Sequence, residues 1–181
     1  MKRIFITHPS SLDDKGPHRP DRGLNPGMSK GAKDKPTIVI DGRVLPEQLD
    51  EQMIHEVVHG FYDEIRKDAL LGPVFNSAIA RHEWLQHLTK MCAFWSSLML
   101  RSGRYDGRPL PPHLALPDLG EQHFRQWLGL FRATVEKLCP PEIAALFMER
   151  ALRIAHSFRL ALAYNRGENT LSVEPITADS L

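Results

Sequence analysis

The sequence predicts an all-α domain spanning residues 46–165, behind an N-terminal extension that builds no core. Two observations carry this. Apolar residues recur at steps of three and four through a series of segments downstream of Pro46, the period of a helix with one buried face. Upstream, TIVIDGRV offers no more than a short β-branched run. At 181 residues with 42% hydrophobic side chains, the chain is long enough for one sizeable core.

Residues 1–36 hold five prolines, four glycines and many charges with almost no apolar periodicity. Such a segment cannot bury enough surface to offset its ordering entropy, so a disordered extension is expected. Thr37 to Val44 carries an Asp41-Gly42 turn signal, and residues 37–45 read as an extended strap or small hairpin packed on something larger.

Pro46 suits a first helical position. Leu49, Met53, Ile54, Val57, Val58, Phe61, Tyr62 and Ile65 then fill one broad apolar face, with Gly60 marking a break between two short helices. A short helix around Ala69 to Ala80 is interrupted at Gly72-Pro73. The next runs from His82 to Met99 with Trp84, His87, Leu88, Met91, Trp95 and Leu98 on one side. In PPHLALP, four nearby prolines restrict His113 to one or two helical turns. Helices from Glu121 to Leu138 and from Pro141 to about Tyr164 follow, and residues 166–181 form a polar, frayed tail.

Charge and composition exclude several partners. With 23 basic against 22 acidic side chains, net charge is +1, which leaves no electrostatic footprint for nucleic acid or an anionic membrane. The apolar run Ile4 to Ile6 falls short of a signal peptide, and no stretch reaches the ~20 apolar residues of a spanning helix. Cys92 and Cys139 read as unreactive thiols in a reducing compartment, so a cytoplasmic location is expected.

Two metal chemistries compete. His55-Glu56-Val57-Val58-His59 spells the HExxH of zinc peptidases. At 100° per residue from Met53, however, the apolar arc runs from about −40° to about 180°, whereas His55, His59 and Glu56 fall near 200°, 240° and 300°. The motif therefore faces solvent, and a zinc metallopeptidase stands as the alternative reading. The second chemistry centres on His113, stiffened by its prolines beside Leu114 and Leu116, with Trp127 and Phe131 on a following amphipathic helix. A rigid, neutral imidazole against an apolar, aromatic wall suits an axial ligand of haem iron. Tyr62, His87 and Trp127, donors on other helices in apolar surroundings, strengthen that reading.

These residues resemble a known family. GFYDEIRKD, LGPVFNSAI, HEWLQHLTKMCAFWSSLML, GRYDGRPLPPHLALP, HFRQWLGLF and ERALRIAHSF occur in the order and near the spacing of the third group of bacterial truncated haemoglobins, over about residues 46–165. The resemblance implies a two-over-two helical sandwich around one haem b. It implies His113 as the proximal iron ligand, Tyr62 and Trp127 as distal donors, and His87 as a gate between solvent and pocket. Phe75 would stack near the haem plane, with Phe61 and Met91 as apolar lining. The implied ligands are O₂, CO and NO at a pentacoordinate iron, with polar donors slowing O₂ release. A binding role in oxygen storage, sensing or transport is the leading expectation, and NO dioxygenase- or peroxidase-like chemistry is the enzymatic one. The latter would need a separate reductase, since no flavin or nicotinamide module is legible in the chain.

Overall fold

The computed structural model describes residues 39–40, 42–116 and 118–181. The expectations for residues 1–36, and for Thr37, Ile38, Asp41 and Pro117, lie outside that set. Strands β1 (Val39–Ile40) and β2 (Arg43–Val44) pair antiparallel with Val39 opposite Val44. Gly42 makes their turn possible at φ +77°, a conformation other residues adopt only with strain.

Six helices follow: α1 (Glu51–Lys67), α2 (Leu71–Ala78), α3 (Trp84–Leu100), α4 (Leu110–Leu114), α5 (Glu121–Leu138) and α6 (Pro141–Asn165). Helix α1 starts at Glu51 and not at Pro46. The Asp50 carboxylate accepts from the Met53 N–H at 3.0 Å, and this side-chain cap fixes the start, while Pro46 only opens the turn that Leu49 N–H closes. Gly60 does not break the helix. It sits where α1 approaches α5, and a Cβ there would stand 3.2 Å from Leu138 Cδ1. Likewise α2 runs through Gly72-Pro73, because Pro73 lies in the first turn, where its missing N–H leaves no internal bond unmade. Asp68 caps this helix from outside, accepting from the N–H groups of Leu70 and Leu71 at 3.0 and 2.7 Å.

Helix α5 begins at Gly120, which has no capping side chain. His123 compensates: its Nδ1 accepts from the Gly120 N–H at 3.1 Å while its own N–H donates to the Gly120 carbonyl. Helix α1 packs on α3 and α5, and α5 packs on α6, so two helix pairs lie one over the other in a two-over-two globin sandwich. Phe61, Phe131 and Phe147, all fully buried, tie the layers together through edge-on rings. Trp95 lies parallel to Phe131 at 4.8 Å.

Residues 166–181 are not a frayed tail. Ile176 is buried, and short 3₁₀ turns form at Thr170–Ser172 and Ala178–Ser180. Arginines of the helices satisfy this segment's carbonyls: Arg125 donates to Ser180, Arg132 to Ala178 and Arg159 to Glu174, at 3.1, 3.1 and 2.6 Å. Among the described residues, no helix is long and apolar enough to cross a membrane.

Candidate haem site

Helix α4 consists of LPPHL and lasts barely more than a turn. Its prolines fix φ, and its geometry returns the His113 ring toward its own start: Nδ1 lies 2.8 Å from the Pro109 carbonyl oxygen. A carbonyl can only accept, so Nδ1 carries the proton and Nε2 keeps its lone pair. The imidazole is largely covered, with Phe158 of α6 tilted against it at 4.7 Å between centroids. Burial pulls its pKa below the usual histidine value, against the opposing pull of the Pro109 bond. Burial favours the neutral ring, and the Pro109 bond aims it.

The loop leading into α4 is held from the other side. Ser96 is fully buried on α3 and lies 2.6 Å from both Glu51 Oε1 and Ser102 Oγ. Arg104 meets Glu51 Oε2 at 2.8 Å, the Tyr105 N–H donates to Ser97 Oγ at 2.9 Å, and the Tyr105 ring stands edge-on to Phe94. These bonds anchor the segment that delivers Pro109 and His113.

A second set of rings gathers on α1, α2, α3 and α5. Tyr62 is buried, with His87, Phe75 and Trp84 edge-on to it at 5.0, 6.0 and 6.2 Å. Trp127 is parallel to Phe131 and perpendicular to Phe61. Met91 and Phe75 pack partly buried against the same core. Burial raises the Tyr62 pKa, and the nearby Cys92 raises it further, so the phenol keeps its proton. Burial lowers the His87 pKa to about 4, with Lys90 and His113 adding to the shift, so His87 is neutral at pH 7.

His87 Nε2 is buried and, among the described residues, has no hydrogen-bond partner. Such an atom costs free energy unless a missing group faces it. An orphaned imidazole nitrogen on α3, a histidine on α4 whose Nε2 keeps its lone pair, and aromatic walls between the helices fit a flat, largely apolar macrocycle with one metal-ligand position. Of the residues singled out from the sequence, Phe61, Tyr62, Phe75, His87 and Trp127 form one chain of ring contacts, Met91 packs partly buried against the core, and His113 lies against Phe158, near enough to His87 to shift its pKa. Sequence reasoning treated Phe158 and Trp84 as core only. Periodicity assigns them to inward faces but cannot tell a packed interior from the wall of a cavity.

His55 and His59 lie elsewhere, on the outward face of α1. Among the described residues no group of three or more His, Cys, Asp or Glu side chains is placed to hold a metal ion, so the peptidase reading lacks its third ligand there. Two surface cavities, of about 600 and 220 Å³, lie along α6 and its junctions, lined by residues such as His156 and Tyr164 or Phe124 and Arg159. Neither includes His113 or Tyr62.

A scan of protein-family models matches none. The chain is, however, 36% identical over 115 residues to a curated group 3 truncated hemoglobin of Campylobacter jejuni, covering 62% of this chain and 91% of the relative. Among solved structures it is similar to a group III truncated hemoglobin from Campylobacter jejuni, with a TM-score of 0.61, 36% identity, and coverage of 64% of this chain and 93% of that one. Identity at this level across nearly the whole of the relative, carried on a shared backbone, means that this chain belongs to the truncated haemoglobins, in their third group.

Proposed function

We propose that this globin binds diatomic gases in a pocket bounded by Tyr62, His87 and Trp127 on one side and His113 on the other, and that its polar donors slow the release of O₂. Were haem b bound, His113 would hold its iron, and the iron would supply the site at which O₂, CO or NO binds. The observation that carries the reading is the His113 Nδ1 bond to Pro109, which fixes the tautomer and leaves Nε2 as the ligating atom.

The roles of the other residues follow from their protonation states and positions. Tyr62 holds its phenolic proton well above neutral pH and can donate it to a ligand that draws negative charge, as O₂ does. Trp127 can only donate, through Nε1. His87 stays uncharged near neutral pH, and its place beside Tyr62 suits a gate that swings between pocket and solvent. Phe61, Phe75 and Met91 keep the pocket apolar, which strengthens each of these hydrogen bonds. The same donors could polarise an O–O bond, which supports NO dioxygenase- or peroxidase-like turnover if a separate reductase supplies electrons.

The test is an absorption spectrum of the purified full chain after adding hemin, then dithionite and CO, beside His113→Ala. A sharp Soret band that shifts with reduction and CO, and is altered or lost in the variant, is expected. An unchanged spectrum in His113→Ala overturns the proximal assignment.

A further inference from the structure

The proposed gas site makes no use of His55 and His59. They stand one turn apart on α1, with ring centroids 3.9 Å apart and planes 22° from parallel. A spacing of four residues puts two helical side chains on one surface strip, with Cβ atoms ~5–6 Å apart. Two imidazole nitrogens can then converge on a single ion at ~2.0–2.1 Å each by opening the stack through side-chain rotation. Helix α1 is regular through this stretch and anchored beneath by Ile54, Val57 and Val58, all buried, so the spacing is held rigid from below.

The local charge suits a cation. Asp63, one further turn along α1, adds negative charge beside the pair. Glu56 is engaged by Gln52, whose Nε2 donates to it at 2.8 Å.

We infer that His55 and His59 form a two-imidazole site for a divalent transition-metal ion of the zinc or copper class on the outer face of α1. The ligand set is what selects this class: neutral imidazole suits Zn²⁺, Cu²⁺ and Ni²⁺, whereas Mg²⁺ and Ca²⁺ require oxygen. With no third donor among the described residues, water completes the coordination sphere. The site is therefore exchangeable, weaker than a closed structural zinc site, and open to an outside ligand.

The test is calorimetric titration of Zn²⁺ into the full-length, haem-loaded, CO-saturated ferrous protein. It is repeated on His55→Ala, His59→Ala and, as a control, His82→Ala, whose side chain is also exposed. All three substitutions fall on solvent-facing or half-covered positions, so folding is retained. The expected result is one Zn²⁺ site whose affinity falls at least tenfold in each of the first two variants and is unchanged in the control, with the Soret band unmoved throughout. Mg²⁺ in place of Zn²⁺ should give no heat from that site. Absence of a single-ion site in the parent, or its survival in either His55→Ala or His59→Ala, overturns the inference.

Discussion

The imidazole of His87 stands edge-on to the phenol of Tyr62, with ring centroids 5.0 Å apart and planes at 84°. The two side chains come from helices that pack directly on each other, α3 and α1, so a movement of one ring is felt by the other. Burial keeps the proton on the Tyr62 phenol, and among the described residues the buried Nε2 of His87 has no hydrogen-bond partner.

Removing the Tyr62 hydroxyl should therefore affect ligands unequally. A hydrogen bond in a dry pocket contributes ~1–3 kcal/mol, so Tyr62→Phe should speed O₂ release roughly 5- to 150-fold while CO release changes little. Trp127→Phe should act in the same direction, with an effect that depends on whether Tyr62 remains. Flash photolysis and stopped-flow O₂ replacement by CO measure both rates. Equal O₂ release in parent and Tyr62→Phe would remove Tyr62 from the donor role.

Acid should weaken the fold through His87. Its pKa is about 4 in the folded chain against an ordinary value of 6.5, so the unfolded state takes up the proton first as pH falls. The stability is complete above pH 6.5 and declines toward pH 4. By pH 5 the loss through this residue is about 2 kcal/mol. Urea titrations of the haem-loaded protein at pH 7 and pH 5 measure the difference, and His87→Gln should shrink it. An identical pH dependence in parent and His87→Gln would mean that other groups carry the acid sensitivity.

Much of this site could be read from the chain because its pieces are local. Phe124, Leu128, Phe131 and Val135 recur on one helical face, and they bound α5 from Glu121 to Leu138 in both sequence and structure. The prolines around His113 restrict that residue whatever surrounds it. What escaped prediction depends on contacts between distant segments. Ile176 is buried in a mostly polar tail whose carbonyls are held by arginines contributed by α5 and α6. Asp50 outcompetes Pro46 as the start of α1 only because its carboxylate reaches Met53. Phe158 borders His113, a placement set by how α4 lands on α6.

Gly60 offers a test of close approach between layers. A Cβ added there meets Leu138 Cδ1 at 3.2 Å and Thr134 Cγ2 at 3.7 Å. The Leu138 side chain is partly exposed and can swing outward by a few tenths of an ångström. Alanine also gains up to ~1 kcal/mol of helix propensity over glycine. Gly60→Ala should accordingly raise stability by about 0.5 kcal/mol, whereas Gly60→Leu, whose branch must displace α5, should lower it by about 1–3 kcal/mol. Thermal melts of the three proteins decide this. A destabilised Gly60→Ala would show that Leu138 cannot yield.

Ser96 tests how the chain holds His113 from a distance. A carboxylate can only accept, so the Ser96 hydroxyl donates to Glu51, and the Ser102 hydroxyl must then donate to Ser96. Ser96→Ala deletes both bonds at a fully buried position and leaves Ser102 without its partner. The expected cost is about 1.5–3 kcal/mol, the range for a hydrogen bond to a charged group. Because Ser102 and Arg104 anchor the loop that ends at Pro109, the loss should also loosen the carbonyl that orients the His113 ring. Ser96→Ala should therefore lose haem to an apomyoglobin acceptor faster than the parent, and its iron–histidine stretching band in resonance Raman should broaden or shift. Ser96→Thr keeps the hydroxyl and should restore the band even if its extra methyl costs some stability. A variant that is destabilised yet shows the parent's band and haem-loss rate would separate this network from the proximal histidine and make it a fold contact alone.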